Sequence, residues 1–439
     1  MASFVDLCRF NPTLGGTTDF VYSTAVAGCQ SPAAANVLNG VNYKLYAVSA
    51  DLSQWEIYQG AYNSSTGTFP RTTVLYNSLG TGSAAGQSGA GTKINFSTVP
   101  QVAVVGLAED AVTVDVTALA PQGRLTLQSG SSVMTANQTA KSTIYYDSHV
   151  GANVWIYNGS VFAPFTIAGD EISMGLDAVT PHVASGSLYD VFAVNNAGAL
   201  AIGIGPAWSS SSARGTGSGT TQLQKLKGIW TNANALTNCW GGASGTTNYG
   251  SIAANQATYL GTFYATANGQ TGMAFSATAA GGGANVLGLW NAYNRESVGA
   301  ISMDSASSWT YNSTTWRKAD NNANNSISYV DGLAQSTVEA RYSVAMDGGN
   351  ASQNQIAIVG CALNWTSGAP TWNALLGQGG SQATAGTTQG SVSADNAFLP
   401  SLGFNVINAV EATASTNTVT FYGTGDAGQS QALRAFLRM

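Results

Sequence analysis

Trp55-Glu-Ile-Tyr-Gln-Gly-Ala-Tyr-Asn-Ser-Ser-Thr-Gly-Thr68 runs on into Phe69-Pro-Arg-Thr-Thr-Val-Leu75 and, beyond a small-residue loop, reaches Lys93-Ile-Asn-Phe96. Apolar and polar residues alternate through Trp55, Ile57 and Tyr58, the period of a half-buried strand. Asn63 to Gly67 carries turn chemistry, with Gly67 free to adopt positive φ. Arg71 to Leu75, β-branched and bounded by Pro70, reads as the returning strand, and Lys93 to Phe96 as a third. Strands this short and this closely spaced argue for an antiparallel sandwich or barrel.

The same pattern extends outward. Phe20-Val21-Tyr22, Tyr43 to Val48 and Val102 to Leu107 complete a first unit, residues 1–115, in which Ala33 to Gly40 is the one helical or turn-like piece. A middle β unit, 116–273, holds two hairpins. Asn158-Gly159, between Val154-Trp155-Ile156-Tyr157 and Val161 to Phe165, is the strongest hairpin signal in the chain. The other joins Leu188 to Val194 with Leu200 to Ile204. Ser209 to Gly219 reads as a long exposed loop. In a third unit, 274–439, Trp309 to Tyr311, Ile327 to Val330, Thr337 to Tyr342, Gln355 to Gly360, Val406 to Glu411 and Thr418 to Gly423 predict a jelly-roll-like sandwich, the last two as a pair. The expected fold class is therefore all-β, with multiple domains built as antiparallel sandwiches or barrels.

Composition limits the function classes. Only 8% of the 439 residues are charged, against about 25% in ordinary globular proteins. Disorder does not follow, because 10 Trp, 18 Tyr and 14 Phe are spread along the chain and supply area to bury. A net charge of −6 with 15 Lys plus Arg and no basic run speaks against nucleic-acid binding. No apolar stretch reaches the ~18 residues of a spanning helix, and Met1 to Phe10 lacks a secretory pattern, so membrane insertion and secretion are not expected. Cys8, Cys29, Cys239 and Cys361 have no C-x-x-C spacing and are expected to be reduced. No metal or cofactor is expected: His149 and His182 are the only imidazoles, and neither lies near a cysteine in sequence.

The order Trp55-Glu56, Tyr58-x-Gly60-x-Tyr62, Arg71 to Leu75 and Ile94-Asn95-Phe96, followed by a valine-rich strand, resembles a module of tailed-bacteriophage structural proteins. It is similar to the module near the attachment ends of tail fibres and head spikes. Tyr189-Asp190-Val191-Phe192, Asn196-Ala197-Gly198 and Pro206-Ala207-Trp208 extend the likeness, and Trp316-Arg317 and Val338-Glu339-Ala340-Arg341 follow in the same order. The resemblance implies a virion protein made in the host cytoplasm, with its first unit on the particle and its last facing the host. Its implied partners are other virion proteins (tail, baseplate or capsid), a host cell-surface glycan, and copies of itself in a symmetric homo-oligomer, a trimer first.

Catalytic patterns are sparse. Glu109-Asp110 and Asp170-Glu171 are adjacent pairs whose members point to opposite faces of a strand, unsuited to flanking one glycosidic bond. Glu56 and Arg71 suit an ordinary cross-hairpin ion pair. No G-x-S-x-G elbow stands at a strand-to-helix turn, and the glycine runs lack a phosphate loop's ending. Asp320 to Asn325 offers oxygen ligands for calcium but only one carboxylate. Trp309, Trp316, Trp365 and Trp372 sit among Asn, Ser and Thr. Such rings either fill a sandwich core or stack on a sugar while neighbouring amides and hydroxyls hold its oxygens. The expectation is a non-enzymatic virion attachment subunit that recognises glycan. The alternatives are a glycan-cleaving spike and a bacterial carbohydrate-binding adhesin.

Overall fold

The computed structural model describes residues 5, 7–83, 91–106, 120–179, 182–347, 355–370, 378–383, 389–414, 418–427 and 430–439, with backbone alone at 355, 378–383 and 389. The described chain is all-β: its strands form several sheets, and no α-helix occurs among the described residues. It divides into two compact units, Met1–Val114 and Asp115–Met439.

The first unit is a seven-stranded antiparallel sheet. Its strands are β1 (Arg9–Pro12), β2 (Phe20–Ala25), β3 (Asn42–Val48), β4 (Trp55–Ala61), β5 (Thr68–Phe69), β6 (Thr73–Asn77) and β7 (Gln101–Val104), in the order β5-β2-β1-β7-β3-β4-β6. Alternation along β4 buries Glu56, Tyr58 and Gly60, so its inward face carries a carboxylate. Phe10, Phe20, Leu45, Tyr58, Phe69 and Val102 close the core with no solvent exposure. Gly60 is required there, because a Cβ would lie 1.9 Å from the Pro70 carbonyl oxygen. Lys93 to Phe96 is not a ladder strand. Phe96 makes only an isolated bridge to Gly16, and Ile94 N–H donates to the Glu56 carboxylate at 2.7 Å instead.

The second unit does not separate at 273/274. Thr271–Met273 pairs with Asn285–Leu287, and Leu289–Asn291 pairs with Thr258–Tyr264. Arg124 donates to the Met439 carbonyl at 2.8 Å, and one hydrophobic cluster runs from Leu125 to Met439. Both expected hairpins form, Asn153–Tyr157 with Phe162–Thr166 and Leu188–Asn196 with Ala199–Ile204. The first turns at Gly159 (φ 102°) and the second at Ala197 and Gly198 (φ 50° and 93°).

The C-terminal part is built from an eight-stranded and a seven-stranded sheet. Gln355–Leu363, Gly403–Thr413 and Ser326–Asp331 form the middle of the first. Val338–Asp347 and Gln431–Arg438 belong to the second. Val359, Cys361, Ile407 and Ala409 from one and Tyr342, Val344, Phe421 and Leu433 from the other share one core. Val419–Tyr422 pairs with Ser308–Tyr311 and with Val338–Asp347 in the second sheet. It does not pair with Gly403–Thr413, the partner that sequence proximity suggests. Not all pairing is antiparallel, since Ser276–Ala279 with Ser297–Asp304 and Asn285–Leu287 with Ser326–Asp331 are parallel.

Candidate functional site

A cleft of about 350 Å³ opens at the end of the Gln355–Leu363 strand, lined by Asn364, Trp365, Thr366, Ser367, Pro370 and Leu399 among others. Asn364 takes a positive φ of 51° and ends the strand. Its backbone N–H donates to the Val406 carbonyl at 2.7 Å. Its side chain accepts from Val406 N–H at 2.8 Å and donates to Asn405 Oδ1 at 2.9 Å. Asn405 in turn donates to the carbonyls of Ser401 and Gly403. The loop therefore leaves a fixed point. Trp365 Nε1 donates to the Gly368 carbonyl at 3.0 Å, which holds the half-buried indole against its own loop. Phe398 is buried below, and Leu399 is 58% exposed at the rim. An indole, an amide and two hydroxyls around an open cleft make a surface for a polar ligand with apolar faces.

The other tryptophans have different places. Trp309 is a core residue: it is 7% exposed, stacks with Phe421 and donates Nε1 to both oxygens of Glu411 at 3.2 and 3.0 Å. The expected sugar-facing role does not fit its burial. Strand alternation that exposes Ser308 and Thr310 turns this ring inward. Trp316 is half-buried and does not line the cleft. Trp372 lies outside the described residues.

Charged groups that looked superficial are buried. Arg71 and Glu56 meet with no exposure on either side chain. Arg214, from the loop read as exposed, turns inward onto Asp190 at 2.6 Å, donates to the Gly332 carbonyl at 2.7 Å and stacks over Trp208. Glu411 is fully buried between Trp309 and Arg317, and burial pushes its carboxyl up to about 7, against the opposing pull of Arg317 and the indole. Glu171 accepts from Ser129 and Gly130 N–H, tying down a loop. Asp304 accepts from Gly281 N–H, Ala306 N–H and Asn325. Burial and then Asp304 hold Asp320 above the ordinary carboxylate range. Among the described residues no group of three or more His, Cys, Asp or Glu side chains is placed to hold a metal. The four cysteines are free.

His149 joins Ser132 to Glu296: Nδ1 lies 3.0 Å from Ser132 Oγ and Nε2 3.2 Å from the carboxylate. Arg124 donates to the Ser132 carbonyl at 2.6 Å. No spacing in the sequence links residues 132, 149 and 296, and only the fold brings them together.

No protein-family model matches the chain, and no curated protein matches it. Among solved structures it is similar to the functional form of the mosquito-larvicidal Cry4Aa toxin from Bacillus thuringiensis. That similarity has 10% identity and a TM-score of 0.18, over 70% of this chain and 50% of that one. The chain thus spans about half the length of that structure, and a likeness this distant carries no argument.

Proposed function

We propose that this protein is a non-enzymatic virion subunit of tail-fibre or head-spike type that recognises a host-surface glycan through the Trp365 cleft. The observation that carries the reading is the anchored indole. Trp365 stands half-buried on a loop fixed by Asn364, beside Thr366 and Ser367, at the mouth of a cleft. Recognition residues commonly sit on loops held by a rigid scaffold. The sequence resemblance supplies the particle, the other virion proteins and the symmetric homo-oligomer as the setting. The test is adsorption of the full-length protein to host cells and to their purified surface glycans. Trp365→Ala should lower binding at least tenfold with an unchanged circular dichroism spectrum. Equal binding by the variant would remove the cleft from the reading.

A second reading rests on Ser132, His149 and Glu296, whose hydrogen-bond chain has the order nucleophile, base and carboxylate of an acyl-ester hydrolase. Here serine meets Nδ1 and the carboxylate meets Nε2, the reverse of the serine-protease arrangement. Hydrolysis of p-nitrophenyl acetate that disappears in both Ser132→Ala and His149→Ala would establish it. A rate no greater than buffer would dismiss it.

A further inference from the structure

The outer face of the seven-stranded sheet carries a charge arrangement that its own strands do not explain. Ser297–Asp304, Gln431–Arg438, Val338–Asp347 and Gln389–Phe398 lie side by side in that order, each pair antiparallel. Alternation buries Leu433, Ala435 and Leu437 and exposes Arg434, Phe436 and Arg438. It likewise exposes Glu339 and Arg341. The register then sets Arg341 directly opposite Arg434. Like charges directly opposite each other destabilise a strand pair. A chain with only 15 Lys plus Arg in 439 residues has placed two of them there, with Arg438 farther along the same face.

Two exposed carboxylates share the face, and Glu339 is set opposite Phe436 rather than opposite an arginine. Asp395 is opposite Arg341, but the two lie 3.6 Å apart with their side chains 56% and 69% exposed, a pair that solvent weakens. Arg438 also donates to the carbonyl of Arg295 at 3.1 Å, which brings another guanidinium-bearing residue to this end.

Between these charges lies a ring. Phe436 is 57% exposed, opposite Gly299 on one neighbouring strand and Glu339 on the other. A Cβ on residue 299 would come within 3.4 Å of the Phe436 ring, so the ring lies over the bare glycine. Two shallow depressions flank it, about 470 Å³ on the side of Arg295 and Arg438 and about 500 Å³ on the side of Arg341 and Asp395. Both include Phe436 and Glu339.

We propose that this face binds a carboxylate-bearing polysaccharide. Phe436 is the stacking platform for one sugar ring. Arg341 and Arg434 hold a carboxylate between them, which relieves their mutual repulsion. Arg438, about 13 Å along the strand from Arg434 by strand rise, meets a carboxylate farther along the polymer, and Glu339 accepts from sugar hydroxyls. A polyphosphate backbone fits less well, because its dense charge demands many cations and this chain is acidic overall. The inference does not depend on the Trp365 cleft.

The test is calorimetric titration of the full-length protein with oligogalacturonate and with its methyl ester, which keeps the sugar and removes the charge. Binding of the acid form that weakens with added salt is expected, with the ester at least tenfold weaker. Arg341→Gln with Arg434→Gln should also weaken binding at least tenfold and Phe436→Ala several-fold, while Trp365→Ala leaves it unchanged. Arg434→Gln alone should raise the melting temperature, which shows both an intact fold and the relief of repulsion. The proposal is overturned if the acid form does not bind, if the ester binds equally, or if the double variant binds as well as the native chain. It is also overturned if polyglutamate or single-stranded DNA binds as tightly and Phe436→Ala has no effect, since the face would then be a protein or nucleic-acid contact.

Discussion

Arg71 and Glu56 form a two-pronged ion pair, Nε to Oε1 at 2.7 Å and Nη2 to Oε2 at 2.5 Å, with neither side chain reaching solvent. The guanidinium also donates to the carbonyls of Gly16, Thr18 and Ile94, so one side chain fastens two separate loop segments, the β1–β2 connection and the stretch around Ile94, to β4. Removing one partner of a buried pair costs about 3–5 kcal/mol, because the other charge is left stranded. Glu56→Gln should therefore lower the denaturant midpoint of the first unit sharply. Adding Arg71→Met should not restore it, since the buried Ile94 carbonyl and the part-buried carbonyls of Gly16 and Thr18 then lose their donor. Recovery of native stability in the double variant would show that the carbonyl contacts contribute little.

Glu411 makes the second unit sensitive to pH. Its carboxyl rises from the ordinary 4.5 to about 7 in the folded chain, chiefly through burial. The folded state therefore holds its proton more tightly than the unfolded state. This contribution is complete below about pH 4.5 and is lost as pH rises towards 7, a change of about 3 kcal/mol. Glu411→Gln keeps an acceptor for Trp309 and removes the titration. Urea midpoints measured across that range should fall with pH more steeply in the native chain than in the variant. Parallel curves would contradict the assignment.

Trp309 and Trp365 should respond oppositely to truncation. Trp309→Ala empties a core position and is expected to cost about 3–5 kcal/mol. Trp365→Ala removes a half-buried ring at a cleft mouth and should cost under about 1 kcal/mol. Thermal unfolding of the two variants side by side checks this, and similar losses would mean that the Trp365 ring is part of the core.

Gly332 supports the Asp190–Arg214 pair. A Cβ there would lie 2.2 Å from Tyr259 Oη and 2.6 Å from the Trp290 ring, while the Gly332 carbonyl accepts from Arg214. Gly332→Ala should destabilise the second unit by about 1–3 kcal/mol through overpacking. Near-UV circular dichroism should report the disturbed aromatic packing, and an unchanged spectrum and melting temperature would show that the site relaxes freely.

Most strands were legible because period-two alternation and turn residues are local properties. Trp55–Ala61 and the Asn158-Gly159 hairpin follow from the text of the sequence alone. Sheet membership was not legible. Nothing near Gln138–Lys141 announces that it pairs with Thr271–Met273, and nothing near Val419 announces Ser308–Tyr311. The inward or outward sense of a face was equally hidden: alternation groups Trp309 with Tyr311 but does not say which side meets the core. The cleft combined a residue singled out for its type, Trp365, with Phe398 and Leu399, which lie on a different strand and its exit. The opposition of Arg341 and Arg434 needed the register, which no local pattern encodes.

The placement of Gln431–Arg438 has a consequence for how the molecule comes into being. It follows every other strand of its sheet in chain order, yet it lies between Ser297–Asp304 and Val338–Asp347. During synthesis those two strands leave the ribosome first and wait, each with an unpaired edge towards the empty lane between them. Such edges invite pairing with neighbouring nascent chains. Until residue 438 emerges the sheet lacks its centre, so the interval of greatest aggregation hazard is set by the translation time between Asp347 and Arg438 rather than by the stability of the finished fold.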